Sequence, residues 1–99
     1  MTIIRMSEAH VLPGRRAEFL EVLRQLVATF PETYEGLLSH EVLVDRADQM
    51  RVVYRSVWAD EAALVAFAGP GWATDPVTFP DEDSYLQEPL VLRHFVTDD

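Results

Sequence analysis

The most constraining feature of the sequence is one long amphipathic pattern near its amino terminus. Between residues 19 and 30, apolar side chains recur every three or four residues, at Phe19, Val22, Leu23, Leu26, Val27 and Phe30. This spacing places them on one stripe of an α-helix, with charged and polar residues on the opposite face. Pro31 is predicted to mark the end of the helix. The apolar stripe requires a second layer to pack against.

Four segments rich in β-branched and apolar residues are predicted to be strands: 2–12, 37–44, 51–58 and 90–97. The short polar connection Asp45–Gln49 joins the second and third segments, which predicts a β-hairpin. Asp60 precedes the apolar run 62–68 in the manner of an N-cap, which predicts a second helix. Because that run is apolar on every side, we expect the sheet to cover one side and a loop or a second subunit the other.

The element order is therefore β-α-β-β-α-β, which predicts a ferredoxin-like α+β fold. In this fold both helices lie on one face of an antiparallel sheet. The third strand carries apolar residues on both parities, Val53 and Val57 on one, and Val52, Tyr54 and Trp58 on the other. A sheet that is apolar on both faces needs a second covering layer, and no further segment is left to supply it. We therefore expect a homodimer that forms through the sheet faces.

Length and charge restrict the possible functions. The chain has 99 residues, which predicts a single domain over 1–99. Its net charge is −9, and residues 60–99 hold nine acids against Arg93 alone. This acidity disfavours nucleic acid and anionic membranes as partners. No apolar run approaches the roughly 20 residues of a membrane span, so we expect a cytoplasmic protein.

Several residue types and motifs are missing. The sequence contains no Cys, no Lys and no Asn, which excludes disulfides, thiolate nucleophiles and Schiff-base lysine chemistry. The segment Gly69-Pro70-Gly71 lacks the N–H donors of a phosphate loop, because proline has none. The run Asp81-Glu82-Asp83 lacks the alternating ligands and the turn glycine of a calcium loop. We predict no metal and no cofactor.

The three histidines, His10, His40 and His94, fall on three different predicted strands. They would bind zinc or iron only if they converged; otherwise they are polar or interface residues. His40 lies mid-strand beside the hairpin and is the best candidate for a general base, because imidazole titrates near neutrality.

Two aromatic side chains, Tyr54 and Trp58, share one parity with Val52 and are expected to face the helices. They are either core residues or the wall of a pocket for a flat aromatic ligand, with Tyr54 supplying a polar tip. Trp72 could close such a pocket.

Residues 69–89 are predicted to form a long loop, because they contain four prolines and two glycines, with one turn of helix at 81–86. Trp72, Phe79 and Tyr85 are large apolar anchors. We expect this loop to fold over the second helix and the cavity mouth, with Trp72 as the main anchor.

Three segments carry a resemblance to a known family: Pro13-Gly14-Arg15, Glu35 to Glu41, and Val52 to Leu64, where a strand ending in Trp58 runs into a capped helix. With these elements, the chain resembles the antibiotic biosynthesis monooxygenase (ABM) family. The resemblance implies a dimeric α/β barrel with a cavity between sheet and helices in each subunit. Some members of that family oxygenate phenolic or anthrone-like compounds with O2 and without metal or flavin, and others degrade haem.

The sequence departs from both active patterns of the family. Phe67 stands where the haem-degrading members have a Trp, and no His lies between Phe67 and His94, so haem degradation is disfavoured. Members that act on polyketides share an Asn four residues before the strand-end Trp. Tyr54 occupies that position here, and only Trp58 is retained.

Two functions remain open. The first is a cofactor-independent monooxygenase acting on a small, electron-rich aromatic of the quinol or anthrone type. In it, His40 is a possible base, and Tyr54, Trp58 and Trp72 bind the substrate. The alternative is a non-catalytic, ligand-binding or stress-associated dimer on the same scaffold.

Overall fold

A computed structural model of the chain describes residues 1–98. Its elements are β1 (Ile3–His10), α1 (Arg16–Ala28), α2 (Phe30–Thr33), β2 (Leu37–Val44), β3 (Arg51–Trp58), α3 (Glu61–Ala68), a 3-10 helix (Glu82–Tyr85) and β4 (Val91–Phe95). No helix within these residues is long and apolar enough to cross a membrane.

The four strands form one antiparallel sheet in the order β2-β3-β1-β4. This is the predicted ferredoxin-like α+β arrangement, with the hairpin partners β2 and β3 on one side of the central strand β1. The structure begins and ends β2 and β3 at the predicted residues, whereas β1 and β4 are shorter than predicted. Both strands lose residues only at their ends, where strand boundaries depend on the neighbouring strand.

The core lies between the sheet and α1. Phe19, Leu23 and Val27 on the apolar stripe of α1 are buried together with Val52 and Tyr54 of β3. Successive strand residues point to opposite faces, so alternate residues of β3, from Val52 to Trp58, are all buried on the helix side. The predicted amphipathic pattern therefore positions α1 directly over the sheet.

The helix ends follow local sequence rules with one correction. Asp60 caps α3 as predicted, because its Oδ1 accepts a hydrogen bond from the Ala63 N–H at 2.9 Å. Pro31 was predicted to mark the end of the first helix, but α1 already ends at Ala28. Pro31 instead lies in the first turn of the short helix α2, where its missing N–H breaks no helical hydrogen bond.

The path of the long loop differs from the prediction. Phe79 and Tyr85 are its buried anchors, and both rings pack on Phe19 of α1 at centroid distances of 5.7 and 6.1 Å. Trp72 is only half-buried, so it is not the main anchor. The outer side of α3 is left open, with Val65 40% exposed. The expectation that the loop covers α3 was wrong: the buried aromatic side chains of the loop pack on Phe19 of α1 instead.

Candidate functional site

A small cavity lies between the sheet and the helices, where the resemblance implied one. Its free volume is about 30 Å³, enough for one or two water molecules. Its walls are mostly apolar and come from β1, α1, β3, α3 and the loop after α3: Arg5, Ser7, Ala9, Phe19, Leu23, Leu26, Val27, Phe30, Val52, Tyr54, Phe67, Val77, Glu82 and Leu90. A few polar groups within an apolar wall are typical of a site that orients a small ligand.

Tyr54 and His40 are brought together at one wall of this cavity. The Tyr54 hydroxyl lies 2.8 Å from Nδ1 of His40, and the two rings meet edge to face. Burial raises the pKa of Tyr54, so its hydroxyl keeps its proton and is able to donate to Nδ1 of His40. Tyr54 lines the cavity, and His40 lies behind it, outside the lining residues.

Trp58 does not line the cavity. It is fully buried, and its ring stacks on Phe67 of α3 at a centroid distance of 4.5 Å. Its indole N–H donates to Oγ of Ser56 at 2.9 Å, which satisfies the only polar group of the side chain. Trp58 therefore fixes the position of α3 and supports Phe67, which is itself part of the cavity wall.

Trp72 lies at the start of the long loop, beside β4. Its ring meets that of His94 edge to face at 4.9 Å, and it does not line the cavity. The structure thus brings Tyr54 and His40 together, and it keeps Trp58 and Trp72 in separate surroundings.

Arg5 is a cavity residue that the sequence analysis did not single out. It is 3% exposed and projects from the centre of β1 towards the helices. Its guanidinium donates to the backbone oxygens of Trp72 at 2.6 Å and Asp75 at 3.0 Å. It also contacts Nε2 of His94 at 3.0 Å. Arg5 thereby ties the first part of the loop to the sheet.

The contact between Arg5 and His94 fixes the protonation of the histidine. Arginine can only donate, so Nε2 of His94 must accept, and the ring is neutral with its proton on Nδ1. Burial, and then the positive charge of Arg5, lower the pKa of His94. Burial likewise lowers the pKa of Arg5.

Glu82 is the second cavity residue that the sequence analysis did not single out as a site residue. It is 5% exposed, and its Oε1 accepts the backbone N–H of Phe79 at 3.1 Å. Burial raises the pKa of Glu82 to about 7, against the smaller opposing effect of that hydrogen bond. A carboxyl group with this pKa gains and loses its proton near neutrality.

Glu82 and Leu90 also line an outer groove of about 630 Å³, formed within the loop itself. These two side chains therefore lie between the small cavity and an open surface groove. Ligand sites usually have volumes of about 300–1,000 Å³, so an aromatic ligand requires these side chains to move apart. The loop of residues 69–89 supplies Val77 and Glu82 to the cavity wall.

The three histidines do not converge. His10 lies near Asp48 and Glu88, at 3.1 and 3.5 Å, while His40 and His94 have the partners given above. Within residues 1–98, no group of three or more His, Cys, Asp or Glu side chains is arranged to hold a metal ion.

A sequence signal for Arg5 existed. Arg5 has the same parity as Ser7 and Ala9, and the odd residues of β1 face the helices. This alternation predicts that the side chain at position 5 is buried, which is unusual for a charged residue. Glu82 gave no such signal, since its burial depends on the path of the loop.

Comparison with known proteins places this geometry in a family. The chain matches the family described as antibiotic biosynthesis monooxygenase over residues 2–69. A search of curated proteins gives no match.

Solved structures share the fold across nearly the whole chain. A conserved protein of Methanosarcina mazei Go1 superimposes with a TM-score of 0.82 at 16% identity, covering 99% of this chain and 94% of that one. PA3566 of Pseudomonas aeruginosa gives 0.77 at 20% identity, with coverages of 99% and 95%. The N63A mutant of SnoaB from Streptomyces nogalater, named a cofactor-independent oxygenase, gives 0.74 at 24% identity, with coverages of 99% and 94%. Identities this low show a common fold and no more. Because the family match covers more than half of the chain, the chain belongs to the antibiotic biosynthesis monooxygenase family.

Proposed function

We propose that this chain is a cofactor-independent monooxygenase that oxidises a small, electron-rich aromatic of the quinol or anthrone type with O2. The observation that carries the proposal is the hydrogen bond of 2.8 Å between the Tyr54 hydroxyl, at the cavity wall, and His40 behind it. Family membership and the shared fold with SnoaB, named a cofactor-independent oxygenase, support the same reaction class.

The Tyr54–His40 pair gives a route for removing a proton from a bound substrate. A substrate hydroxyl that donates to the Tyr54 oxygen passes its proton to that oxygen as the tyrosine proton moves to Nδ1 of His40. The products are a substrate anion and an imidazolium, with Tyr54 unchanged. The electron-rich anion then reduces O2. For an anthrone, the methylene and O2 become a carbonyl and water, so no external reductant is needed.

The other predicted substrate residues have indirect roles in this proposal. Trp58 positions the substrate through Phe67, on which it stacks. Trp72 helps to hold the loop in place, because its backbone oxygen accepts a hydrogen bond from Arg5. Substrate entry requires Glu82 and Leu90 to move apart, which joins the cavity to the outer groove.

Oxygen uptake with a panel of hydroquinones and anthrones tests the reaction. We expect uptake above the buffer rate, lowered by both His40→Gln and Tyr54→Phe. His10→Gln is the matched control, since His10 also lies on a strand but pairs with Asp48 away from the cavity. No uptake above the buffer rate across the panel would refute the proposed reaction.

The proposed partner is a second copy of the chain, bound to the face of the sheet opposite the helices. Exposed apolar residues Leu43, Val91 and Phe95 lie on that face, with exposures of 38%, 37% and 46%. Leu43 lies on one edge strand and Val91 and Phe95 on the other, and exposed apolar side chains across a sheet face favour a protein interface. We expect native mass spectrometry to report a dimer, and Phe95→Asp to yield monomer. A monomeric wild-type protein at micromolar concentration would rule the interface out.

A non-catalytic ligand-binding dimer is the second candidate. The observation that favours it is that His40 does not line the cavity, whose volume is only about 30 Å³. A small hydrophobic or aromatic molecule that co-purifies, together with no oxygen uptake, would favour this function over the enzyme.

A further inference from the structure

Arg5 carries a buried positive charge with no acidic partner. Its three hydrogen-bond acceptors are two backbone oxygens and the neutral ring of His94. Across residues 1–98, no carboxylate lies within 4.0 Å of its guanidinium. Removing an ion from water is costly unless another charge compensates it. Arg5 therefore has no ion-pair partner among these residues, and Glu82, the one acid that lines the cavity, does not contact it.

The guanidinium also keeps hydrogen-bonding capacity. Arginine has five N–H donors, and the contacts of Arg5 use both of those on Nη1 and one on Nη2. The remaining donors are one on Nε and one on Nη2. Two free N–H donors on one guanidinium suit a carboxylate or another ionised oxygen.

The strand register places this cation on the same face of the sheet as Tyr54. Tyr54 is the cross-strand partner of Ser7, which is two residues from Arg5 on the same face of β1. Arg5, Ser7 and Tyr54 all line the cavity, and Arg5 is the only basic residue among the lining residues. The Tyr54 hydroxyl contacts His40 on the edge strand β2, and the guanidinium contacts His94 on the opposite edge strand β4, so the two polar groups bind different parts of a ligand.

We infer that the cavity selects aromatic ligands that carry an ionised oxygen, a carboxylate or an enolate, and that Arg5 is the residue that binds it. The ring of the ligand packs among Phe19, Phe30 and Phe67, which line the same cavity. The inference rests on the ligand site of the proposed function but not on turnover.

The test compares two probes of nearly equal shape, 2-naphthoate and its neutral amide, 2-naphthamide, by isothermal titration calorimetry at low salt. We expect 2-naphthoate to bind at least about ten-fold more tightly, as one charge-assisted hydrogen bond predicts. Arg5→Gln should abolish this preference and leave 2-naphthamide binding within about two-fold. Arg24→Gln is the matched control, because Arg24 is exposed on α1 and the substitution removes the same charge. It should keep the preference.

Equal affinities in the wild-type protein, no binding of 2-naphthoate, or a preference that survives Arg5→Gln would each overturn the inference. If Arg5→Gln does not fold, Arg5→Lys replaces it: the charge remains without the paired donors, so 2-naphthoate should bind more weakly but still better than the amide. Neither probe is a substrate, so the result is independent of oxygen uptake. A naphthoate preference without uptake removes only the proposed reaction, and uptake without the preference removes only this inference.

Discussion

Replacing Glu82 with glutamine should remove a pH-dependent loss of stability. The folded chain holds the Glu82 proton up to a pKa of about 7, whereas the ordinary value is 4.5. Between these values the folded state binds a proton that the unfolded chain has released, so stability falls as the pH rises. The contribution is fully present below the unfolded pKa and is lost as the pH passes the folded one.

The size of the effect follows from the two pKa values. Their difference corresponds to about 3 kcal/mol, since one pKa unit is about 1.4 kcal/mol. Glu82 also borders the open groove, where water screens part of the charge, so we expect a loss of about 1–3 kcal/mol. Glutamine keeps an oxygen for the Phe79 N–H but cannot ionise, so the variant should not show this loss.

Urea denaturation between about pH 5 and pH 8 measures the effect as the difference between wild type and Glu82→Gln. That difference cancels the other titrating groups. We expect the variant to gain stability relative to wild type as the pH rises. Glu21→Gln, on the exposed face of α1, is the control, because it makes the same substitution at a solvent-exposed position. A pH-independent difference for Glu82→Gln would show that Glu82 is ionised at its ordinary pKa and would refute the reasoning.

Three further predictions concern the elements around the site. Phe79→Ala should lower the free energy of unfolding by about 3–5 kcal/mol in the same urea assay, because Phe79 is buried. Trp72 is only half-buried, so Trp72→Ala should lower it by clearly less. A larger loss for Trp72→Ala than for Phe79→Ala would show that Trp72 is the main anchor of the loop. Tyr54→Phe removes the hydrogen bond to Nδ1 and should cost about 1 kcal/mol while changing the ¹⁵N shifts of the His40 ring in NMR; unchanged shifts would contradict the bond. Asp60→Ala removes the N-cap of α3 and should cost about 1 kcal/mol, measured by thermal unfolding.

The local elements of this protein were predictable from the sequence. The apolar stripe predicted α1. Runs of β-branched and apolar residues, joined by a short polar connection, predicted β2 and β3 at their observed bounds, and Asp60 predicted the start of α3. Each of these signals depends on residues two to four positions apart, which the backbone geometry brings together in any context. The family resemblance predicted a cavity between the sheet and the helices, and the structure has a cavity in that position.

The composition of the site was decided only by the tertiary structure. Tyr54 and His40 share a face, but their hydrogen bond depends on the register of β2 against β3. The sequence shows Arg5 as a charged residue in a strand rich in apolar residues. That its partners are backbone oxygens and not a carboxylate depends on the position of the distant loop. Glu82 is buried because Phe79 and Tyr85 pack on α1 instead of α3. Contacts between segments so far apart in sequence depend on which apolar surfaces compete for the same side chains, and no local pattern records the outcome of that competition.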